Sequence, residues 1–249
     1  MWVDVLKLRE WYRTLQGRMV RRILNPDIQD LINLQENQSL LGIGYCQPYV
    51  PDATGTQTVV LAGPAQMGVT LWPEGTKQRA TLVDETALPF AESTFDVVLL
   101  AHCLEMTGDP QALLEACWHS LRPDGRLVLM VPNRSGAWAR RDDTTFAHGQ
   151  PYSPGQVTRL LRKANFTVTQ AEYALFIPPL KWRWVYKLYT FFEKAGRRWQ
   201  APVGGVLLVQ ARKDIFGMRA VRPKGRKVPS MVRVPATALR RTRLKIASM

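Results

Sequence analysis

Residues 83–133 read VDETALPFAESTFDVVLLAHCLEMTGDPQALLEACWHSLRPDGRLVLMVPN, and two apolar runs within them decide the class of fold. Val97 to Ala101 and Leu127 to Val131 carry no alternating polar residues, so they read as strands of a sheet covered on both faces. A helix lies between them. Asp109 is placed to cap it, Pro110 takes its first position, Leu113, Leu114, Cys117 and Leu121 share its inward face, and Pro123-Asp124-Gly125 stops it. Strand, helix and strand in that order make a parallel crossover.

Working outward, further short apolar runs at Ser39 to Ile43, Thr58 to Ala62 and Thr81 to Val83 add buried strands on the N-terminal side. On the C-terminal side a helix opens at Ser153-Pro154 and buries Val157, Leu160, Leu161 and Ala164. An alternating strand through Phe166 and Val168 and a last run from Gly205 to Ala211 follow, close enough to pair antiparallel. Ahead of the sheet, Val5, Leu8, Tyr12, Leu15, Met19 and Ile23 recur at three- and four-residue steps, one stripe of an amphipathic helix. Arg9, Arg13, Arg18, Arg21 and Arg22 fall mostly off that stripe, as a solvated basic face or a contact to substrate, and Pro26 opens a short helical turn after Asn25.

The chain is 249 residues long with a net charge of +14, and the charge is unevenly placed. From Arg212 to Met249 there are twelve lysines and arginines against the single acid Asp214, which leaves +3 for residues 1–211. With Pro223, Pro229 and Pro235 and few aromatics, residues 213–249 read as a basic tail with little structure of its own, suited to a polyanion such as RNA, DNA or an anionic membrane, or to solubility alone. Residues 1–34 read as an N-terminal helical extension and 35–212 as the main domain. Leu180 to Trp199, with Trp182, Trp184, Tyr186, Tyr189, Phe191 and Phe192 among lysines and arginines, reads as an inserted helix over 180–200 that lies on the sheet edge or at a membrane interface. Cys46, Cys103 and Cys117 form no CxxC pair, no run of about 18 apolar residues occurs, and no leader is evident, so a cytoplasmic protein is expected. No metal-ligand spacing, phosphate-cradling loop or Ser/Cys nucleophile arrangement stands out.

The quoted stretch resembles the class I S-adenosylmethionine-dependent methyltransferase superfamily, in its type 11-like branch. The pattern there is an acid after the third strand, LPF, a polar turn, FD with the fourth strand, H-x-L-E, D-P, a helix and L-x-P-G-G. The matching residues are Asp84, Leu88-Pro89-Phe90, Phe95-Asp96, His102, Leu104-Glu105, Asp109-Pro110, Leu113, Glu115, Trp118, Leu121, Pro123 and Gly125. The resemblance implies an α/β, Rossmann-like fold with a mostly parallel seven-stranded sheet and helices on both faces. It also implies that S-adenosylmethionine binds over Gly42, Gly44, Tyr45, Gly63, Asp84, Glu85 and His102, with Asp84 accepting from the adenine amino group.

Two departures stand out. The acid that precedes the family's G-x-G-x-G is Gly42 here, Gly44 is the one glycine kept, and Cys46 and Pro48 take the other glycine positions. The acid that takes the ribose hydroxyls after the second strand is replaced by Ala62-Gly63-Pro64. A bacterial subgroup with GxGYxQPY in the first loop shares this look, together with PNRxGxWAR and GxPYS after the fifth strand. Asn133 to Tyr152 forms the candidate acceptor loop, with Asn133, Arg134, Trp138, Arg140, His148 and Tyr152 available to an anionic or aromatic substrate. Three readings stay open: a methyltransferase of unknown acceptor, a methyltransferase-like scaffold that binds RNA or a protein assembly without turnover, and a lipid- or quinone-methylating enzyme at a membrane surface.

Overall fold

The computed structural model describes residues 2–50, 56–73, 78–179, 188–199 and 202–215. Seven strands form one sheet: β1 (Ser39–Gly44), β2 (Thr58–Pro64), β3 (Ala80–Val83), β4 (Phe95–Ala101), β5 (Leu121–Pro132), β6 (Phe166–Ala174) and β7 (Val206–Lys213). Their order across the sheet is β3-β2-β1-β4-β5-β7-β6. The first five are parallel, and β7 runs antiparallel to both β5 and β6, the antiparallel pairing expected of the last two strands. This is the Rossmann-like arrangement that the resemblance implies, with the parallel crossovers expected from the apolar runs.

Alternation along each strand sends neighbouring residues to opposite faces. Leu40, Val97, Leu99, Val128, Met130, Val206 and Leu208 join the core on one face, and Leu41, Val98, Leu100, Leu127, Leu129, Leu207 and Val209 the core on the other. The first face is covered by α1 (Val5–Arg13) and α2 (Leu15–Ile32), and the second by α3 (Pro110–Ser120) and α4 (Pro154–Lys163). Asp109 caps α3 by accepting from the Ala112 amide at 3.0 Å, and Ser153 and Gln156 close a reciprocal capping box on α4. Helix α5 (Tyr189–Trp199) is held by Glu193, whose carboxylate accepts from the amides of Phe176 and Ile177 at 2.7 and 3.2 Å.

The N-terminal stripe divides where a single helix was expected. Thr14 caps α2, its hydroxyl accepting from the Gly17 amide at 3.1 Å. A Cβ at Gly17 would lie 2.2 Å from the Trp11 carbonyl oxygen, so only glycine lets the two helices meet this closely. Pro26 sits inside α2 rather than opening a separate turn; it lies on the exposed side, where the carbonyl it leaves unbonded reaches water. Strand β7 takes in Lys213, one residue past the expected domain end. Its ammonium donates to the Leu121 carbonyl at 2.6 Å and lies 4.0 Å from the centre of the Trp118 ring. The rest of the basic tail from residue 216 onward and residues 180–187 of the aromatic stretch lie outside the described residues. Among the described residues no helix is long and apolar enough to cross a membrane.

Asp96 ties the strand starts together. Its carboxylate accepts from the Ser39 amide at 2.8 Å, the Ser39 hydroxyl at 2.9 Å and the Arg122 guanidinium at 3.2 Å. Partial burial works to raise this carboxyl, but the Ser39 and Arg122 donors outweigh it and leave it below its ordinary value. A depressed carboxyl contributes stability above the unfolded-state value and loses it as pH falls through the folded one. Asp96→Asn is therefore expected to cost about 1–3 kcal/mol in urea unfolding at neutral pH. The gap to the parent should close as the pH drops below the carboxylate range; a gap independent of pH would exclude this role.

Candidate functional site

In open α/β sheets ligands bind beyond the carboxyl ends of the strands, and here the loops after β1, β2, β3 and β4 meet there. Gly44 ends β1 at φ +88°, and a Cβ on it would lie 2.3 Å from the Ala101 carbonyl oxygen at the end of β4. The loop that follows keeps its amides to itself: Tyr45 donates to Ala101, Cys46 to Gly44, and Tyr49 and Val50 to Cys46. With Pro48 carrying no N–H, it forms turns in place of the helix that usually starts here.

The missing acids have a steric cause. A Cβ at Gly42 would lie 2.7 Å from Leu61 Cδ2 and 2.9 Å from Cys46 Cβ, and one at Gly63 would lie 2.4 Å from the Gly68 carbonyl oxygen. At Gly63 the obstacle is backbone, while at Gly42 a side chain would require Leu61 and Cys46 to move. The loop after β2 is also occupied from above, since the Val5 amide at the start of α1 donates to the Met67 carbonyl at 2.9 Å.

Between α1 and the end of β4 lies a buried polar chain. The Tyr12 hydroxyl is 2.7 Å from both the Tyr49 hydroxyl and His102 Nε2, and His102 Nδ1 is 3.5 Å from Glu105 Oε1. Burial first, and then Tyr49, holds the Tyr12 phenol well above its ordinary value, so it keeps its proton. Burial likewise pushes up the Tyr49 phenol. His102 is wholly buried and adopts φ +53°, a left-handed conformation uncommon outside glycine. Both Glu105 oxygens and His102 Nδ1 are enclosed without a hydrogen-bond partner. Aromatic rings close the chain: Tyr45 and Tyr49 lie 5.5 and 5.9 Å from Tyr12, and Phe146 lies 5.2 Å from His102 and 5.9 Å from Trp11.

Gly42, Gly44, Tyr45 and His102 thus come together, with Gly63 one strand away. Asp84 is exposed at the end of β3 and accepts from the Thr86 hydroxyl and amide at 2.7 and 2.9 Å, which hold its carboxyl below the ordinary range. Glu85 points inward, 3.4 Å from the Thr107 hydroxyl in the loop after β4. The acceptor loop divides in two. Asn133, Trp138 and Tyr152 are buried anchors: the Asn133 amide donates to the Pro202 and Gly204 carbonyls, the Trp138 indole to Ile177 at 2.7 Å, and the Tyr152 hydroxyl to Leu104 at 3.1 Å. Arg134, Arg140 and His148 are exposed. Tyr12, Tyr49, Glu105 and Phe146 belong to the site without having been expected there. The one signal for Tyr12 was a hydroxyl in an otherwise apolar stripe.

A sequence profile described as a methyltransferase domain matches residues 31–171. No curated protein matches the chain in sequence. The fold is similar to that of an S-adenosylmethionine-dependent methyltransferase of Thermotoga maritima, with TM-score 0.57 at 16% identity over 84% of this chain and 96% of that one. A second similar structure is an S-adenosylmethionine-dependent methyltransferase of Aquifex aeolicus, with TM-score 0.56 at 16% identity over 84% and 98% of the two chains. The [4+2]-cyclase SpnF is similar too, with TM-score 0.56 at 18% identity over 82% and 84%.

Removing the Tyr12 hydroxyl strands two buried partners, while removing that of Tyr49 leaves Tyr12 bonded to His102. Tyr12→Phe should lower stability by about 1–3 kcal/mol in denaturant unfolding, and Tyr49→Phe by clearly less. Equal losses would mean that the hydroxyl chain does not organise the site.

Proposed function

Because the chain belongs to the methyltransferase-domain family, we propose that it transfers a methyl group from S-adenosylmethionine to an acceptor over the carboxyl ends of β1 to β4. The observation that carries this reading is the exposed, ionised carboxylate of Asp84 at the end of β3, whose neighbour Glu85 reaches Thr107 in the loop after β4. The residues present fit the cofactor's charge: Glu105 is a buried acid with neither oxygen hydrogen-bonded, the kind of group that a cation offsets.

When bound, S-adenosylmethionine supplies an electrophilic methyl carbon on a sulfonium. Asp84 would hold the adenine amino group, and the His102 and Gly44 loops would line the rest of the pocket. Tyr12 and Tyr49 take no charge at neutral pH, so they act as neutral donors and acceptors that orient their neighbours. The Tyr12 hydroxyl bridges the Tyr49 hydroxyl and His102 Nε2, and His102 Nδ1 faces Glu105, so the imidazole is fixed in orientation from both sides. Methyl transfer depends chiefly on alignment, and rigid burial of this chain serves that end. On the acceptor side, Arg134, Arg140 and His148 are the groups that a substrate meets, while Asn133, Trp138 and Tyr152 hold their loop in place.

A second reading is favoured by the crowding at Gly42 and Gly63, which hold no carboxylate and leave little room for one. In that reading the fold is a scaffold without turnover. Calorimetric titration with S-adenosylmethionine and S-adenosylhomocysteine separates the two. Saturable binding that weakens about tenfold or more in Asp84→Ala supports methyl transfer; absence of heat at millimolar ligand leaves the scaffold.

A further inference from the structure

The arginines of the N-terminal helices are not equally engaged. Arg18 donates to the Arg13 carbonyl at 3.1 Å, and Arg22 lies 5.9 Å from the centre of the Tyr189 ring. Arg9, Arg13 and Arg21 remain, and among the described residues no ion pair joins any of them to a carboxylate. Arg9 is half-buried, with its Nε enclosed and lacking a hydrogen-bond partner. Such a cationic donor is costly unless something anionic meets it. Arg21 is fixed over the first loop by donation from Nε to the Pro48 carbonyl at 3.0 Å.

Arg9 and Arg13 stand one helical turn apart on α1, and Arg21 is held over the loop that begins with Tyr45, the residue directly after Gly44. Its ring packs 5.5 Å from Tyr12 and is 4% exposed. Burial pushes the Tyr45 phenol up to about 12, and the charges of Arg9, Arg13 and Arg21 act against that rise. Among the described residues the Tyr45 hydroxyl makes no hydrogen bond, and the amides of Tyr45, Cys46, Tyr49 and Val50 are already engaged with backbone carbonyls.

We propose that Arg9, Arg13, Arg21 and the Tyr45 hydroxyl form a binding site for a carboxylate or phosphate group at the mouth of the first loop, with arginine side chains doing what backbone amides do in a glycine-rich loop. Guanidinium groups suit this role, since they present planar pairs of donors to two oxygens at once and stay charged throughout the physiological range. The anion comes either from the carboxylate of S-adenosylmethionine or from an acidic acceptor. The first source rests on the methyl-transfer reading; the site itself does not.

The test uses the full chain and three probes, measured by calorimetry: inorganic pyrophosphate, S-adenosylmethionine and its decarboxylated analogue. Pyrophosphate is expected to bind and to weaken about tenfold in each of Arg9→Gln, Arg13→Gln and Arg21→Gln, with no change in Arg162→Gln on α4. Arg13→Gln guards against misfolding, since the Arg13 guanidinium makes no hydrogen bond or ion pair among the described residues. If S-adenosylmethionine weakens in the same variants to the level of its decarboxylated analogue, the anion is the cofactor's carboxylate. If pyrophosphate alone weakens, it belongs to the acceptor. Arginine-dependent pyrophosphate binding with no response to S-adenosylmethionine upholds the site and removes the methyl-transfer reading. Affinities for pyrophosphate and S-adenosylmethionine that are absent or indifferent to all three arginines overturn the proposal.

Discussion

A phenol buried away from water has one proton to give and lone pairs to fill, and whatever surrounds it must supply both partners or lose stability. Tyr12 meets that demand with Tyr49 on one side and His102 on the other, and in doing so joins three parts of the chain that the sheet alone leaves separate: the N-terminal helix, the first loop and the end of β4. The left-handed turn at His102 is what aims its imidazole back under the helix. Glu105 follows one helical step later along the same loop, so the burial of an acid, a base and two phenols is one arrangement and not four coincidences. The mouth of the site inherits its shape from this chain.

Much of the sheet was legible because strands covered on both faces must be continuously apolar, and Val97 to Ala101 and Leu127 to Val131 are. Helices α3 and α4 were legible for a different reason: capping residues and first-turn prolines announce where backbone donors would otherwise go unpaired. The division between α1 and α2 was not. An apolar stripe reports which face is inward but not whether the axis bends, and the bend rests on a close approach of Gly17 to the Trp11 carbonyl that no periodicity contains.

The site was legible in outline only. Loops that follow strand ends can be found from the strands, so Gly44, Asp84 and His102 were placed correctly relative to the sheet. What each polar side chain does depends on neighbours brought from far along the chain. Asn133, Trp138 and Tyr152 looked like substrate contacts because they are polar or aromatic in a glycine-punctuated loop, and in the fold they hold the loop to residues 69, 39 and 48 positions away. The absence of acids at Gly42 and Gly63 kept a scaffold without turnover open as a reading. The geometry gives that absence a physical ground, since both positions are crowded.

That crowding constrains how such a pocket can change by mutation. An aspartate introduced at Gly42 alone collides with Leu61 and Cys46, and trimming Leu61 or Cys46 alone opens a void in the buried core. The two changes share one space, so their effects are coupled and do not add. Regaining a carboxylate at this position therefore takes coordinated changes at residues 42, 46 and 61, not one substitution.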